Sequence, residues 1–365
     1  MPGILVVAPN WIGDALMAQP LFARLRSRLA RLRLDVLAPE WVAPVVRRMP
    51  EVDEVLSAPF RHGALQLRER WRLGRALRER GYDQAIVLPN SWKSALVPYF
   101  ADIRLRSGYV GEQRYGLLNL LYRTDPATPD AMAEHYARLS DIPGAPAPEA
   151  LPEPRLSVDA EQARNTVRRH GMASEGRRLA VLCPGAEYGP AKRWPAERFG
   201  SLAAALGGQG FAVALLGSAK DAAICAGVWH ALAARQGGAV HNLAGKTTLD
   251  EAIEIIACAD LVVTNDSGLM HVAAALDRPQ LAIFGSSSPA HTPPRSAHAR
   301  VIWLGIECSP CFKPVCPLGH FRCMNDIPVE RVLAEGAGLV MLRPARDTQA
   351  NAVPVPVPTV RRPAA

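Results

Sequence analysis

The sequence has 365 residues, 49% hydrophobic and 21% charged, which describes a soluble globular protein long enough for two domains. Its seven cysteines, an odd number, argue against a disulfide framework and are typical of a reducing compartment. The net charge of +8 indicates an anionic partner, which is a nucleic acid, an acidic membrane surface or a phosphorylated substrate.

We expect no transmembrane helix. The longest uncharged run, residues 199–219, approaches membrane-spanning length, but the GGQG sequence at 207–210 interrupts it, as a turn between a helix and a strand does. The N-terminus begins with an apolar strand and has no basic residue before Arg24, so it lacks the form of a signal peptide. The sequence therefore predicts a cytoplasmic protein.

Strands and helices alternate through a first predicted domain, residues 1–155. The apolar runs predict strands at 4–8, 34–38, 54–56, 84–88 and 104–108, and helices at 15–29, 42–48 and 65–80. Polar loops follow three of these strands, at 9–14, 89–94 and 109–116. The carboxyl ends of parallel strands meet at one edge of a sheet, where such folds bind ligands, so these loops predict a polar, basic acceptor cleft.

A segment containing five prolines, 143–154, predicts a linker to a second domain, residues 156–343. Strands are predicted there at 179–183, 212–216, 261–264 and 281–284, with helices at 160–170, 197–206, 222–233 and 249–257, the last capped by Thr248. Residues 344–365 are predicted to be a disordered tail. The fold class is α/β, with two Rossmann-like, doubly wound parallel-sheet domains facing each other across a cleft.

The most informative stretch is 258–288. A strand ends at Asn265-Asp266-Ser267-Gly268 and a helix follows at once, and the next strand ends at the small-residue loop 285–288. Free backbone N–H groups and the positive end of the helix dipole suit a phosphate or diphosphate. The alternative is that Asp266 or Ser267 only caps the helix. Helix capping is also the alternative role for Asp14 in the first domain.

Three motifs together resemble glycosyltransferase family 9: PGAE at 184–187 with KRWP at 192–195, NDSGLMH at 265–271, and NWIGD at 10–14. The resemblance runs from the first strand to about residue 342. It implies a GT-B fold whose N-terminal half receives the acceptor and whose C-terminal half binds ADP-heptose. The implied reaction is inverting transfer from ADP-L-glycero-D-manno-heptose to the first heptose of the lipid A–Kdo inner core of lipopolysaccharide.

The resemblance also implies roles for individual residues. Asp14 matches the general base for the acceptor hydroxyl, and Lys192 matches a cation that faces the donor diphosphate. The other expected donor-binding residues are Glu187, Asp221 for the ribose hydroxyls, Thr247 near the adenine, and Asp266, Ser267, Gly268 and His271 at the helix start. His271 either faces the site or packs within its helix. No metal and no cofactor is expected.

The expected acceptor-binding residues are Asn10, Lys93 and Arg114, the latter two on the basis of loop position and charge. The implied partners are ADP-heptose, a heptosylated Kdo–lipid A acceptor, and the inner face of the cytoplasmic membrane as a peripheral contact, without nucleic acid. Arg-rich segments such as 68–80 have helical spacing with Leu between the arginines, which predicts amphipathic helices with solvated basic faces.

Four cysteines, Cys308, Cys311, Cys316 and Cys323, are not explained by sugar transfer. They predict packed free thiols, with a structural zinc site as the alternative. The Cys308–Cys323 segment and the AEYGPAKRWP run favour an enzyme whose acceptor already carries one heptose, with heptosyltransferases of types I and III as the alternative. A basic nucleic-acid-binding protein with a cysteine-rich zinc site, and a nucleotide-sugar binding module without transferase activity, are competing functions of other classes.

Overall fold

The computed structural model describes residues 1–61, 63–125, 130–148, 150–172, 177–233 and 240–341. Internal contacts divide the chain into one unit that runs from Met1 to Pro152 and a second that begins at Glu153. The predicted tail from residue 344 lies outside the described residues. Within the described part of the chain, none of the helices is long and apolar enough to span a bilayer.

The first unit is built on a six-stranded parallel sheet with the order β3-β2-β1-β4-β5-β6. Its strands are β1 (Gly3–Val7), β2 (Arg33–Pro39), β3 (Glu54–Ala58), β4 (Gln84–Val87), β5 (Leu105–Tyr109) and β6 (Leu120–Tyr122). All five residues of β1 are buried, as expected for a central parallel strand covered on both faces. The sequence pattern did not predict β6, which has only three residues.

The helices of this unit are α1 (Ile12–Met17), α2 (Gln19–Arg28), α3 (Ala43–Val46), α4 (Leu67–Leu77), α5 (Leu96–Phe100) and α6 (Met132–Ala137). Short 3-10 turns lie at Arg78–Arg80, Trp92–Ala95 and Arg138–Ser140. The prediction of one helix over 15–29 is wrong, because the chain forms two helices joined at Ala18. Pro20 has no N–H to donate to the preceding turn, so the hydrogen-bond ladder is interrupted there.

The second unit repeats this architecture with the strand order β12-β11-β10-β7-β8-β9, again all parallel. Its strands are β7 (Arg178–Cys183), β8 (Phe211–Leu215), β9 (Val240–Asn242), β10 (Leu261–Asn265), β11 (Gln280–Ile283) and β12 (Ala299–Ile302). Its helices are α7 (Ala160–Arg169), α8 (Ala196–Gly208), α9 (Ala222–Ala233), α10 (Leu249–Ala257), α11 (Gly268–Ala275), α12 (Arg322–Asn325) and α13 (Val329–Met341), with 3-10 turns at Pro190–Lys192 and Ala219–Asp221.

Both units are therefore doubly wound α/β folds, as predicted. In each sheet the strand order reverses beside the first strand, between β1 and β4 in one unit and between β7 and β10 in the other. Open α/β sheets bind ligands in the crevice outside the carboxyl ends of the strands at this switch point. The loops that follow these four strands are consequently where function is expected.

Candidate functional site

The loop after β7, residues 184–195, is held at both ends by one side chain. Asn265, the fully buried last residue of β10, donates from Nδ2 to the Pro184 carbonyl at 2.8 Å. Its Oδ1 accepts from the Trp194 backbone N–H at 3.0 Å. Trp194 is itself fully buried in the core of the second unit, where its ring packs edge-on against Phe199. The loop is thus anchored across the switch point, and the 3-10 turn that carries Lys192 has a fixed position.

Lys192 points from this loop to the carboxylate of Asp266, which follows β10. The Lys192 Nζ lies 2.5 Å from Asp266 Oδ2, and the Ser287 hydroxyl donates to the same oxygen at 2.5 Å. The Lys192 side chain is 17% exposed and that of Asp266 only 5%. A buried carboxylate needs such partners. Asp266 therefore fixes the direction of both donors, while part of the Lys192 side chain remains accessible.

The helix that begins beside this cluster is not capped by a side chain. Ser267 is the N-cap of α11 but accepts no capping hydrogen bond, and its hydroxyl lies 3.2 Å from Thr264 Oγ1. Asp266 is engaged with Lys192 and Ser287. The interpretation that either residue only caps the helix is therefore wrong. The first-turn N–H groups and the positive end of the α11 dipole lie beside the Lys192 ammonium, an arrangement suited to a diphosphate.

His271 is buried within α11, with 5% of its surface exposed. The pKa of its imidazole is lowered to about 4, mainly by burial, with Asp266 opposing the shift and Lys192 adding to it. The ring is consequently neutral at pH 7. Its electrostatic coupling to both residues assigns His271 to the neighbourhood of the Lys192–Asp266 pair.

Three further predicted donor-binding residues lie on loops at the same sheet edge. Asp221 belongs to a capping box, in which its Oδ2 accepts from the Ser218 N–H at 2.9 Å and from the Ser218 hydroxyl at 2.8 Å. Its Oδ1 lies against Gly185, only 2.3 Å from where a β-carbon on that glycine would be. The Asp221 carboxylate and the loop after β7 are therefore in direct contact.

Glu187 forms an exposed ion pair with Lys220, one residue before Asp221. The loop that carries Thr247 packs on the loop after β8, since the Gly245 N–H donates to the Gly217 carbonyl at 3.0 Å. Thr248 forms the predicted N-cap of α10, with a full capping box to Glu251, so that prediction is confirmed.

In the first unit, Asp14 lies in the first turn of α1, directly after β1. The N-cap of this helix is Trp11, which makes no side-chain cap. Burial raises the pKa of Tyr136 well above its usual value, and the Asp14 carboxylate raises it further, so the two side chains are close. Asn10, also at this switch point, is exposed and its carbonyl accepts from Trp41 Nε1 at 2.8 Å.

Lys93 and Arg114 lie after β4 and β5 and differ in exposure. The Lys93 ammonium donates to the Gly63 carbonyl at 2.7 Å. The Arg114 side chain is only 1% exposed and donates to the carbonyls of Pro89 at 2.5 Å and Tyr109 at 2.6 Å. Burial lowers the pKa of Arg114 to about 10, which leaves it charged at pH 7. Arg114 thus fastens the loop before Lys93 to the end of β5, a position that its polar sequence context did not reveal.

The four cysteines 308, 311, 316 and 323 are free thiols that line a cavity of about 50 Å³ together with His320. Among the described residues, no three Cys, His, Asp or Glu side chains are placed to hold a metal ion. Their segment packs on the site loops, because the Ala191 N–H donates to the Pro314 carbonyl at 3.0 Å and the Phe312 N–H to the Ser286 carbonyl at 2.7 Å. The segment therefore supports the loop that carries Lys192.

Sequence reasoning did not assign roles to Asn265 and Ser287, although both lie in segments that it singled out. The only indication was their position, because Asn265 ends the buried strand β10 at the switch point and Ser287 follows the neighbouring buried strand β11. Their hydrogen-bond partners, 71 to 81 residues away for Asn265 and 21 for Ser287, were visible only in the folded chain.

The chain is similar in sequence and fold to known glycosyltransferases. The model of glycosyltransferase family 9 (heptosyltransferase) matches residues 70–322. Lipopolysaccharide heptosyltransferase 2 of Escherichia coli (strain K12) is 45% identical over 93% of this chain and 98% of its own length. The solved structure of E. coli ADP-heptose lps heptosyltransferase II superposes with a TM-score of 0.83 at 42% identity, over 94% of this chain and 99% of that one. Lipopolysaccharide heptosyltransferase 1 of Pseudomonas aeruginosa (strain PAO1) is 26% identical over 90% of this chain and 92% of that protein.

Proposed function

Because the chain belongs to glycosyltransferase family 9, we propose that it transfers heptose from ADP-L-glycero-D-manno-heptose to the first heptose of the lipid A–Kdo inner core. The observation that carries this proposal is the 45% identity to a lipopolysaccharide heptosyltransferase 2 along almost the whole of both chains. Identity to a heptosyltransferase 1 is much lower, at 26%, which favours an acceptor that already carries one heptose.

The donor binds at the carboxyl edge of the second sheet. Its diphosphate occupies the N-terminal end of α11, where Ser267 and Gly268 supply backbone N–H groups and Lys192 supplies a positive charge. Asp266, whose Oδ2 also accepts from the Ser287 hydroxyl, holds the Lys192 ammonium in place. Glu187, Asp221 and Thr247 contact the nucleoside, with the free Asp221 oxygen accepting from a ribose hydroxyl.

Transfer is a single displacement with inversion. The acceptor hydroxyl oxygen bonds to the anomeric carbon as the bond from that carbon to the ADP oxygen breaks, and Asp14 takes the hydroxyl proton. The negative charge that develops on the departing ADP is stabilised by Lys192 and the α11 N-terminus. Asn10 and Lys93 contact the acidic acceptor, and Arg114 orders the loop that presents Lys93.

The acceptor is a lipid, so the enzyme works in peripheral contact with the inner face of the cytoplasmic membrane. A heptosyltransferase of type I or III has the same donor and another acceptor, and is less favoured by the identities. A nucleic-acid-binding protein with a cysteine-rich zinc site is not favoured either, since the family match covers residues 70–322 and includes the switch-point loops of the second unit.

The test is transfer from ADP-heptose to mono-heptosylated Kdo–lipid A, run beside an acceptor that lacks this heptose, each with and without EDTA. We expect product only with the heptosylated acceptor, and the same rate with chelator. Product with the bare Kdo acceptor would instead assign type I. No product with either acceptor, despite measurable ADP binding, would indicate a nucleotide-sugar binding module.

A further inference from the structure

Helix α4 carries an outward face that the proposed catalysis does not use. Leu67 and Trp71 stand one turn apart and are each 49% exposed. Arg68, Arg72 and Arg75 form an adjacent exposed row, and the Arg75 guanidinium lies 5.9 Å from the centre of the Trp71 ring. An exposed apolar row beside an exposed basic row is unusual for a helix whose inner face already serves the core.

The inner face of α4 fixes which residues point outward. Arg70, Gly74 and Leu77 are buried. A β-carbon on Gly74 would lie 2.5 Å from Phe100 Cβ, so α4 packs closely on α5 at this point. The helix therefore cannot rotate to bury Leu67 and Trp71 without losing this contact.

The buried Arg70 guanidinium joins two neighbouring loops to α4. Its Nε donates to the Leu65 carbonyl at 2.6 Å, and one terminal nitrogen donates to the Lys93 carbonyl at 3.1 Å. Leu65 and Trp92 are each 40% exposed. They extend the apolar area, and exposed Arg61, whose N–H donates to Gln66 Oε1 at 2.7 Å, extends the basic one.

We propose that this α4 surface docks the protein on an anionic lipid bilayer. It comprises the apolar residues Leu65, Leu67, Trp71 and Trp92 with the arginines Arg61, Arg68, Arg72 and Arg75. Trp and Leu side chains enter the boundary between headgroups and acyl chains, while arginines beside them contact lipid phosphates. Three arginines and one glutamate of the helix are exposed, so the outward charge of α4 complements an acidic headgroup layer.

The biological purpose of the α4 surface rests on the proposed function, and the location of this surface agrees with that function. Helix α4 begins after β3, and Trp92 and Lys93 follow β4, so the surface adjoins the carboxyl edge of the first sheet where Asp14 and Asn10 lie. An acceptor anchored in the same bilayer would then reach this edge without leaving the membrane.

The experiment is flotation of the full chain with vesicles that contain no acceptor, made of phosphatidylglycerol or of phosphatidylcholine. We expect flotation with phosphatidylglycerol that declines as salt is raised, and little with phosphatidylcholine. The double variants Leu67→Ser/Trp71→Ser and Arg68→Glu/Arg72→Glu should each lower the partition coefficient about tenfold or more. All four positions are exposed, so unchanged thermal melting will verify that both variants fold.

Matched controls lie in the second unit. Arg164 and Arg168 are exposed one turn apart on α7, and Trp229 is 41% exposed on α9. Arg164→Glu/Arg168→Glu and Trp229→Ser should float like the wild type. The proposal is overturned if the wild type does not float with phosphatidylglycerol, if it floats equally with both lipids, or if the α4 variants float like the controls, as they would if this face bound a second copy of the chain.

Because these vesicles lack acceptor, the result is independent of whether the proposed transfer reaction is correct. A second measurement connects the two: the α4 variants should retain wild-type kcat/KM with a deacylated, water-soluble acceptor and lose about tenfold with the acceptor embedded in vesicles. A loss with the soluble acceptor as well would mean that this face acts in catalysis and not in docking.

Discussion

Asp266 Oδ2 lies 2.5 Å from the Lys192 ammonium, although the two residues are 74 positions apart in the sequence. The carboxylate is nearly buried, so it cannot face a diphosphate as a bare negative charge without strong repulsion. The role of the Asp266 carboxylate is therefore to position its two hydrogen-bond donors. It holds the Lys192 ammonium and the Ser287 hydroxyl at fixed points beside the α11 N-terminus, so the diphosphate site that we propose is preorganised.

Replacing Lys192 by Met should lower the turnover of transfer by about 10² to 10³, because a preorganised positive charge is lost where charge develops on ADP. Steady-state kinetics of ADP release will measure this. Lys313→Met, an exposed lysine of the cysteine segment, is the control and should be unaffected. Wild-type turnover in Lys192→Met would mean that the lysine serves only to balance Asp266.

Replacing Asp14 by Asn should lower turnover by about 10² to 10⁴ and leave ADP affinity nearly unchanged, because an amide cannot accept the hydroxyl proton. The two quantities are measured by transfer kinetics and by titration calorimetry with ADP. Glu40→Gln removes an exposed carboxylate that follows β2 at the same edge, and should behave as wild type. Near-normal turnover in Asp14→Asn would show that Asp14 is not the general base.

The fold was predictable where buried strands produce continuous apolar runs, such as 4–8 and 261–264. Prediction failed for β6, β9 and β12, which lie at sheet edges and have only three or four residues. It also failed at Ala18, where the amphipathic pattern continues through a break in the helix.

The site was predictable to the level of loops and not of contacts. Parallel strands bring their carboxyl ends together, so the sequence order alone placed Lys192 and Asp266 at one edge. No local pattern reveals that Asn265 bonds both ends of one loop, or that Arg114 is buried among main-chain carbonyls. The pairings of Asn265 and the bond from Arg114 to Pro89 join residues 25 to 81 positions apart.

Asn265→Ala should lower the free energy of unfolding by about 2 kcal/mol or more, because the Trp194 N–H and the Pro184 carbonyl both lose a buried partner. Denaturant unfolding will measure this, with the exposed Asn325→Ala as a control that costs little. Loosening of loop 184–195 should also raise KM for ADP-heptose. A variant with wild-type stability would show that water replaces both hydrogen bonds.

Stability should depend on pH through His271. Its pKa in the folded protein is about 4, against an ordinary value of 6.5, so the unfolded chain takes up this proton first as the pH falls. The neutral His271 imidazole makes its full contribution to the free energy of unfolding above pH 6.5. This contribution, up to about 3 kcal/mol, is lost between pH 6.5 and 4. The difference in unfolding free energy between wild type and His271→Gln should shrink over this range. The exposed His230→Gln should follow the wild type at every pH, and parallel curves for all three proteins would refute the assignment.

Gly185→Ala tests whether Asp221 binds the donor nucleoside. The added β-carbon would lie 2.3 Å from Asp221 Oδ1, so the carboxylate must move and its hydrogen bonds to Ser218 must weaken. We expect KM for ADP-heptose to rise about tenfold, equivalent to ~1.4 kcal/mol of binding, with kcat much less affected. Asp221→Asn should raise KM in the same direction without the steric change. Gly208→Ala, at the end of α8 with nothing within 4 Å of the added carbon, should have no effect. If Gly185→Ala and Asp221→Asn both keep the wild-type KM, Asp221 only caps its 3-10 turn, and the ribose is held by other groups of this edge.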